Sequence, residues 1–405
     1  MTKQHDDKDK WRMLFITSMA MIGALTSWLA ATAVLENLAD TIGITLQQAA
    51  WLTNAVQLGF VAGALSSSFV SLTDTVSLSR TLTLSSLLAA LSTAALLIEP
   101  SLTVALAARF VTGVALAGVY PTAMKLIATW FIRGRGLALG IMVGAITLGS
   151  AMPYFFRAIG GGTSWQMVIS VSVLACLMAS VVFATLIKEG PHGFAPSKFD
   201  PRQLSQVLRN KPVMLANLGY FGHMWELYAM WGWILAYASA AHAAGQSLIN
   251  ASLLAFMVVA VGAIGCLVGG FLSDRIGRCL TTSLMMTISG ICALLIGLLF
   301  NGPTTLFVLV ALIWGFTVVA DSAQFSTAVS ELSPNDFVGS SLAFQMAVGF
   351  AITMFTIWLV PVIAGIAGSW RWTFLILVPG PLVGIIAMMK LRTLPEAAKL
   401  AGGRR

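Results

Sequence analysis

Charge is scarce in this chain. Of its 405 residues, 9% are Asp, Glu, Lys or Arg, against roughly 25% in a soluble globular domain, while 58% are hydrophobic. That balance argues against a water-soluble enzyme. Cysteine and histidine are equally thin, with four of each. Cys176, Cys266, Cys279 and Cys292 lie in or beside apolar runs without CxxC spacing, so they read as small packing residues; neither a disulfide framework nor a metal site is expected. No G-x-x-x-x-G-K-[ST] loop occurs, so the chain is not expected to draw on its own ATP hydrolysis. Gly134, Gly136 and Gly140 miss the dinucleotide spacing by one residue, there is no HExxH, and His5, His192 and His242 fall in a tail, a loop and an outer connection. Neither enzyme activity nor a cofactor is expected.

What is abundant is long apolar sequence. The runs do not alternate, which excludes an outer-membrane barrel, and they are long enough to cross a bilayer as helices of about 20 residues. Charged and Gly/Pro breaks divide them into spans at 13–35, 49–72, 79–98, 102–127, 136–158, 165–187, 212–240, 247–272, 280–300, 305–330, 337–361 and 370–391. The fold expected is an all-α polytopic membrane protein with twelve transmembrane helices. The formal charge of +8 would suggest nucleic acid in a soluble protein. Here all basic residues except Arg109, Arg157 and Arg371 fall on the side of the N-terminus, which the positive-inside rule makes cytosolic. Both termini are therefore expected in the cytosol, the chain in the inner (plasma) membrane, and its immediate partner is lipid rather than nucleic acid. The first apolar run follows a charged tail and lacks a cleavage site, so no cleavable signal peptide is expected. Trp51, Trp165, Trp370 and Trp372 near outer ends and Trp130 near an inner end suit an interfacial belt.

The longest polar stretch, 188–211, divides the chain into segments 13–187 and 212–391, with tails at 1–12 and 392–405. The halves echo each other. GTSWQ at 162–166 answers GSWRW at 368–372, Asp74 answers Asp274, and Gly136 answers Gly339, all at offsets of about 200 residues. With six spans per unit the repeat is parallel, the layout of a transporter whose halves rock about a midplane site.

At the turn between spans eight and nine stands Gly270-Phe-Leu-Ser-Asp274-Arg275-Ile-Gly277-Arg278. This G-x-x-x-D-R-x-G-R segment resembles the signature loop of the major facilitator superfamily, and the twelve-span, two-half layout extends the resemblance over the whole chain. Gly277 permits a tight turn, Asp274 favours a helix N-terminus, and Arg275 and Arg278 are placed to pair across the bundle or with lipid phosphate. The resemblance implies a latch that stabilises one access state. The first-half counterpart, Leu72-Thr-Asp74-Thr75-Val-Ser77-Leu78-Ser79-Arg80, keeps the acid but not the glycine and arginines. In span four, Arg109-Phe-Val-Thr112-Gly113 resembles the arginine motif of proton-linked facilitator antiporters. Span five, with Gly140, Gly144, Gly149 and Pro153, loosely resembles the glycine-rich helix of the drug-efflux branch.

Charges at membrane depth are costly and mark function. Arg109 lies roughly 10 Å below the outer surface by helical rise and needs a counterion, a wet cavity or an anionic substrate. Glu226 lies roughly 20 Å from the cytosolic end of span seven, and Asp321 is well inside span ten. His223 and Tyr220 share the Glu226 face; Trp314 and Gln324 share that of Asp321. The resemblance implies that spans one, four, seven and ten line a central cavity, and those spans hold every deep charge. The function expected is alternating-access secondary transport of a small organic solute, coupled to protons through Glu226 and Asp321, with Arg109 as countercharge and efflux as one direction. Uptake of a small anion or organic acid is the competing substrate class, and a transport-inactive membrane sensor the reading from another class. A monomer is expected.

Overall fold

The computed structural model describes residues 2–69, 75–98, 101–131, 134–161, 164–192, 204–247, 250–334 and 337–404, and among them it is helical without a strand. The spanning helices are α1 (Thr2–Leu25), α2 (Leu46–Phe69), α3 (Leu78–Ala94), α4 (Leu102–Trp130), α5 (Arg135–Ile159) and α6 (Trp165–Thr185), then α7 (Lys211–Ala243), α8 (Ala251–Ile276), α9 (Arg278–Leu298), α10 (Thr304–Ala320), α11 (Val338–Ala367) and α12 (Pro379–Arg392). Nine helical stretches among the described residues are long and apolar enough to cross a bilayer. The three spans outside that set, α1, α2 and α7, are more polar. They carry or lead into Trp28, Gln57, His223 and Glu226.

Two spans are broken where the apolar pattern runs on. The first stops at Leu25, turns through Thr26–Leu29, and resumes as short helices Ala30–Ala33 and Leu35–Ile42. The cause is local. The hydroxyls of Thr26 and Ser27 donate to the carbonyls of Gly23 (2.7 Å) and Ala24 (2.9 Å), competing with the helical ladder. Span ten breaks at Asp321, after which Ser322–Leu332 continues it. Asp321 does not cap the following helix; its carboxylate is engaged elsewhere. At the C-terminal end Pro395–Gly403 forms 3-10 turns that bury Ala397 and Leu400.

The chain divides into two compact units, Met1–Lys198 and Phe199–Arg405. Each uses the same small-residue packing. In the first, a Cβ on Gly59 of α2 would strike the Phe110 carbonyl of α4, and one on Gly113 would strike the Val56 carbonyl. In the second, Gly265 of α8 meets the Phe316 carbonyl of α10, and Gly315 meets that of Val258. Without a hydrophobic force between helices in lipid, such close backbone approach supplies the dispersion contact that holds them. The recurrence of one contact at matching positions is the structural form of the parallel repeat.

Candidate functional site

In the second unit the buried acids sit on the inward face of α7 and at the break in span ten. Asn217, Tyr220, His223 and Glu226 follow one another at three-residue intervals along α7, so they drift slowly around one side of the helix. A Cβ on Gly222 would strike the Gly380 carbonyl of α12, which pins that stretch of α7 to its neighbour. Glu226, 2% exposed, accepts at Oε1 from Trp314 Nε1 (2.6 Å) and Ser289 Oγ (2.7 Å). Both donors are neutral. Each such hydrogen bond is worth about 0.5–1.5 kcal/mol to a neutral acid and about 1.5–3 kcal/mol to an ionised one, so the two together hold the carboxyl group in place. Trp314 is itself wedged edge-on against Phe374 at 5.0 Å.

One turn earlier, His223 Nδ1 lies 2.9 Å from Asp321 Oδ1, with both side chains 2% exposed. The imidazole packs against the rings of Tyr220 (6.0 Å) and Phe325 (5.5 Å), and its Nε2 has no hydrogen-bond partner among the described residues. Two carboxylates and one imidazole thus share the packed interior of this unit, with no lysine or arginine in a described ion pair with them. Nearly two turns before His223, Asn217 Oδ1 accepts from Gln345 Nε2 (3.1 Å), and Gln345 Oε1 accepts from Ser326 Oγ (3.0 Å). Both amides are fully buried.

The signature loop lies against Ser322–Leu332, the stretch of span ten beyond its break. Gly277 joins α8 to α9 at φ 91, a left-handed backbone that favours glycine. Arg278 then forks: Nε donates to Glu331 Oε2 (2.7 Å), Nη2 to Glu331 Oε1 (2.6 Å), and Nη1 to Gln324 Oε1 (2.8 Å) and Ser273 Oγ (3.1 Å). Gln324 is therefore tied to the loop arginine. Arg275 instead covers the Phe271 ring at 4.1 Å, Asp274 is exposed with its carbonyl taken by Arg404, and Gly270 faces open space. Asp74 lies outside the described residues.

In the first unit Arg109 is fully buried. Its Nη2 donates to the Trp28 carbonyl (2.6 Å), which the break in the first span leaves outside a regular helix, and its Nε and Nη1 have no partner among the described residues. All four cysteines are free and buried.

Among comparisons with known proteins, the family model for the Major Facilitator Superfamily matches residues 16–357 and again 234–405. The chain belongs to the Major Facilitator Superfamily. Two solved facilitators share its fold: the proton:xylose symporter XylE at TM-score 0.71 and 12% identity, covering 95% of this chain and 96% of that one, and the E. coli fucose:proton symporter FucP at 0.62 and 14%, covering 94% and 100%. Curated relatives include the MFS transporter asaE of Aspergillus flavus, 26% identical over 55% of this chain and 50% of that protein. Another is the probable sulfoacetate transporter SauU of Cupriavidus necator, 26% identical over 42% of this chain and 43% of that protein. The matched stretches span about half the length of these relatives.

Within this superfamily member, several groups of the site carried no signal in the sequence. Ser289, Asn217 and Gln345 are single neutral polar residues in apolar runs, where a hydroxyl or amide is common. Glu331 sits in the polar end of span ten and looks like an ordinary solvated acid. Of the span-seven tryptophans, Trp225 and Trp233 donate to the carbonyls of Ile376 (2.8 Å) and Ile357 (2.9 Å), as packing residues do. Trp165 is turned inward at 6% exposure, whereas Trp51 is half exposed.

Proposed function

We propose that this facilitator is a proton-coupled secondary active transporter that moves a small organic solute across the cell's inner (plasma) membrane by alternating access. The observation that carries the reading is the cluster of Glu226, Asp321 and His223: three groups able to exchange protons, buried together and solvated by neutral donors and one another rather than by a fixed cation. A static charge pair would need one acid and one base. Here a second acid is left over, and its charge is what a travelling proton would neutralise. The fold neighbours XylE and FucP are proton symporters by name, which supports the same energy source here. Arg278, Glu331 and Gln324 would serve as the latch of one access state, because their bonds tie the loop before α9 to the end of span ten. Efflux is one direction such machinery supports.

The test is proton movement. Purified protein in weakly buffered detergent is challenged with organic acids, sugars and cationic dyes, and the active solute is then followed in liposomes. Glu226→Gln and Asp321→Asn are expected to remove transport driven by a pH gradient while leaving solute exchange at equal pH. Unchanged pH-driven transport in both variants would overturn the assignment.

A second reading of the solute, uptake of a small organic acid, is favoured by the partner-free N–H groups of Arg109 and by the relative named as a sulfoacetate transporter.

A further inference from the structure

Besides Arg109, the first unit buries several side-chain polar atoms without a partner among the described residues, and Gln57 is so left at both ends of its amide. Gln57 of α2 is 0% exposed, and neither its Oε1 nor its Nε2 makes a hydrogen bond among the described residues. A buried primary amide left this way costs several kcal/mol in an apolar setting, so an empty reading of it is expensive. Its place is defined by its neighbours. Helices α2 and α4 run parallel in close contact, with Gly59 against Phe110 and Gly63 against Val114, which puts Gln57 and Arg109 at about the same height. They also turn the same way. On α2, Thr53, Gln57 and Phe60 share a face, and that face meets the first span: Thr53 Oγ1 is 2.8 Å from Thr32 Oγ1, and the Phe60 ring is 5.0 Å from the Trp28 ring. Arg109 reaches the same residue from α4 through the Trp28 carbonyl.

A guanidinium with two nitrogens unused, Nε and Nη1, and an amide with an unused NH2 therefore converge beside the break at Thr26–Leu29. Non-helical backbone at membrane depth is tolerated where it is buried in protein or lines a cavity, and broken helices are where transporters bind solutes. The donor set is cationic and planar, which matches an oxyanion. The flanking surface is aromatic, with Phe60 between Trp28 (5.0 Å) and Tyr120 (6.2 Å), which suits an apolar body attached to that oxyanion.

We propose that Arg109 and Gln57 form the anion subsite of the first unit, binding the carboxylate or sulfonate of a small organic anion, with Gln57 the residue that selects it. The inference deepens the transporter reading and rests on it. In this arrangement Arg109 supplies the charge and remains anchored to Trp28. Gln57 adds one neutral donor to the second oxygen, so an anion presenting two oxygens is favoured over a spherical one.

The experiment measures binding without any gradient. The full-length protein in detergent is titrated with sodium lactate, acetate and sulfoacetate, against sodium chloride, choline chloride and glucose, and the thermal midpoint is followed. The organic anions are expected to raise the midpoint of the wild type saturably, with lactate or sulfoacetate ahead according to whether carboxylate or sulfonate is preferred, and chloride, choline and glucose to leave it near the ionic-strength baseline. Gln57→Glu places a resident carboxylate beside Arg109. It should melt at or above the wild type without ligand and lose the anion response. Gln57→Leu, close in volume but without the amide, should weaken the half-saturating concentration about tenfold, the loss of one charge-assisted hydrogen bond. The proposal is overturned if no organic anion stabilises the wild type, if chloride does so equally, or if Gln57→Leu and Gln57→Glu both respond as the wild type does. Glu226→Gln is the separating control. It should lose pH-driven transport, a readout separate from the anion titration of the wild type, so failure of the subsite and failure of proton coupling are read independently.

Discussion

Removing Glu331 isolates the contribution of the signature loop. Arg278 places two charge-assisted bonds on that carboxylate, at 2.7 and 2.6 Å, and Ala401 N adds a third at 3.1 Å. The arginine and glutamate side chains are 10% and 26% exposed, so the pair lies between two limits: exposed ion pairs contribute about 0–1 kcal/mol, and breaking a buried one costs about 3–5 kcal/mol. Arg278 keeps Gln324 and Ser273 as acceptors when Glu331 is lost. The expected cost of Glu331→Ala is therefore about 1.5–3 kcal/mol, discounted for the partial exposure of the acid. At about 2–4 °C per kcal/mol for a unit near 200 residues, the thermal midpoint should fall by about 3–12 °C. The four buried free cysteines provide the readout, since a thiol-reactive fluorophore labels them only as the protein opens. A double-mutant cycle with Arg278→Met should return a coupling of about 1–2 kcal/mol. A midpoint change below about 1 °C, or strictly additive single mutants, would refute the view that this fork fastens α9 to the end of span ten.

Two further outcomes follow from contacts away from the charged groups. Gln246 Nε2 donates to the carbonyls of Leu299 (2.7 Å), Phe300 (3.2 Å) and Gly302 (2.9 Å), and its Oε1 accepts from Thr304 (2.8 Å). Gln246→Ala should cost about 1–2 kcal/mol because the released carbonyls can hydrate, whereas Gln246→Glu should cost more by replacing the donor with a charge facing those carbonyls; the same thermal assay ranks them. Gly265→Leu should abolish monodisperse expression, because any side chain there meets the Phe316 carbonyl. Gly270→Ala, five residues on and facing open space, should be neutral or stabilise α8 by about 0.5–1 kcal/mol, as glycine-to-alanine changes do within a helix. Equal expression of Gly265→Leu and wild type on size-exclusion chromatography would contradict the packing.

The spans were readable because burial in lipid demands about 20 apolar residues with every backbone group bonded internally, and that requirement writes itself into hydropathy. Depth likewise exposed Arg109, Glu226 and Asp321, since charge is costly there and stands out. The two helix breaks were not readable, because their causes are too local to disturb an apolar average: two hydroxyls at Thr26 and Ser27, and one aspartate drawn towards His223. Projecting span ten as an unbroken helix grouped Gln324 with Asp321, whereas beyond the break its amide oxygen meets Arg278. Gln57 carries no mark in the sequence for a further reason. A neutral amide in an apolar run is usually satisfied by a neighbour, and only the three-dimensional contacts reveal that this one is not.

The distribution of ionisable groups differs between the two repeats although their helix packing matches. Among the described residues, the first unit buries a guanidinium and an amide with unused donors; the second buries two carboxylates and an imidazole with neutral donors around them. Donors without acceptors suit an anion, and acids without a fixed cation suit a proton. A chain that loads one of each gains no net charge per turnover, so translocation need not move an uncompensated charge through hydrocarbon, where each would cost several kcal/mol. Under the proposed function, the parallel repeat supplies two equivalent scaffolds, and divergence of a few side chains on spans two, four, seven and ten would give them complementary cargo.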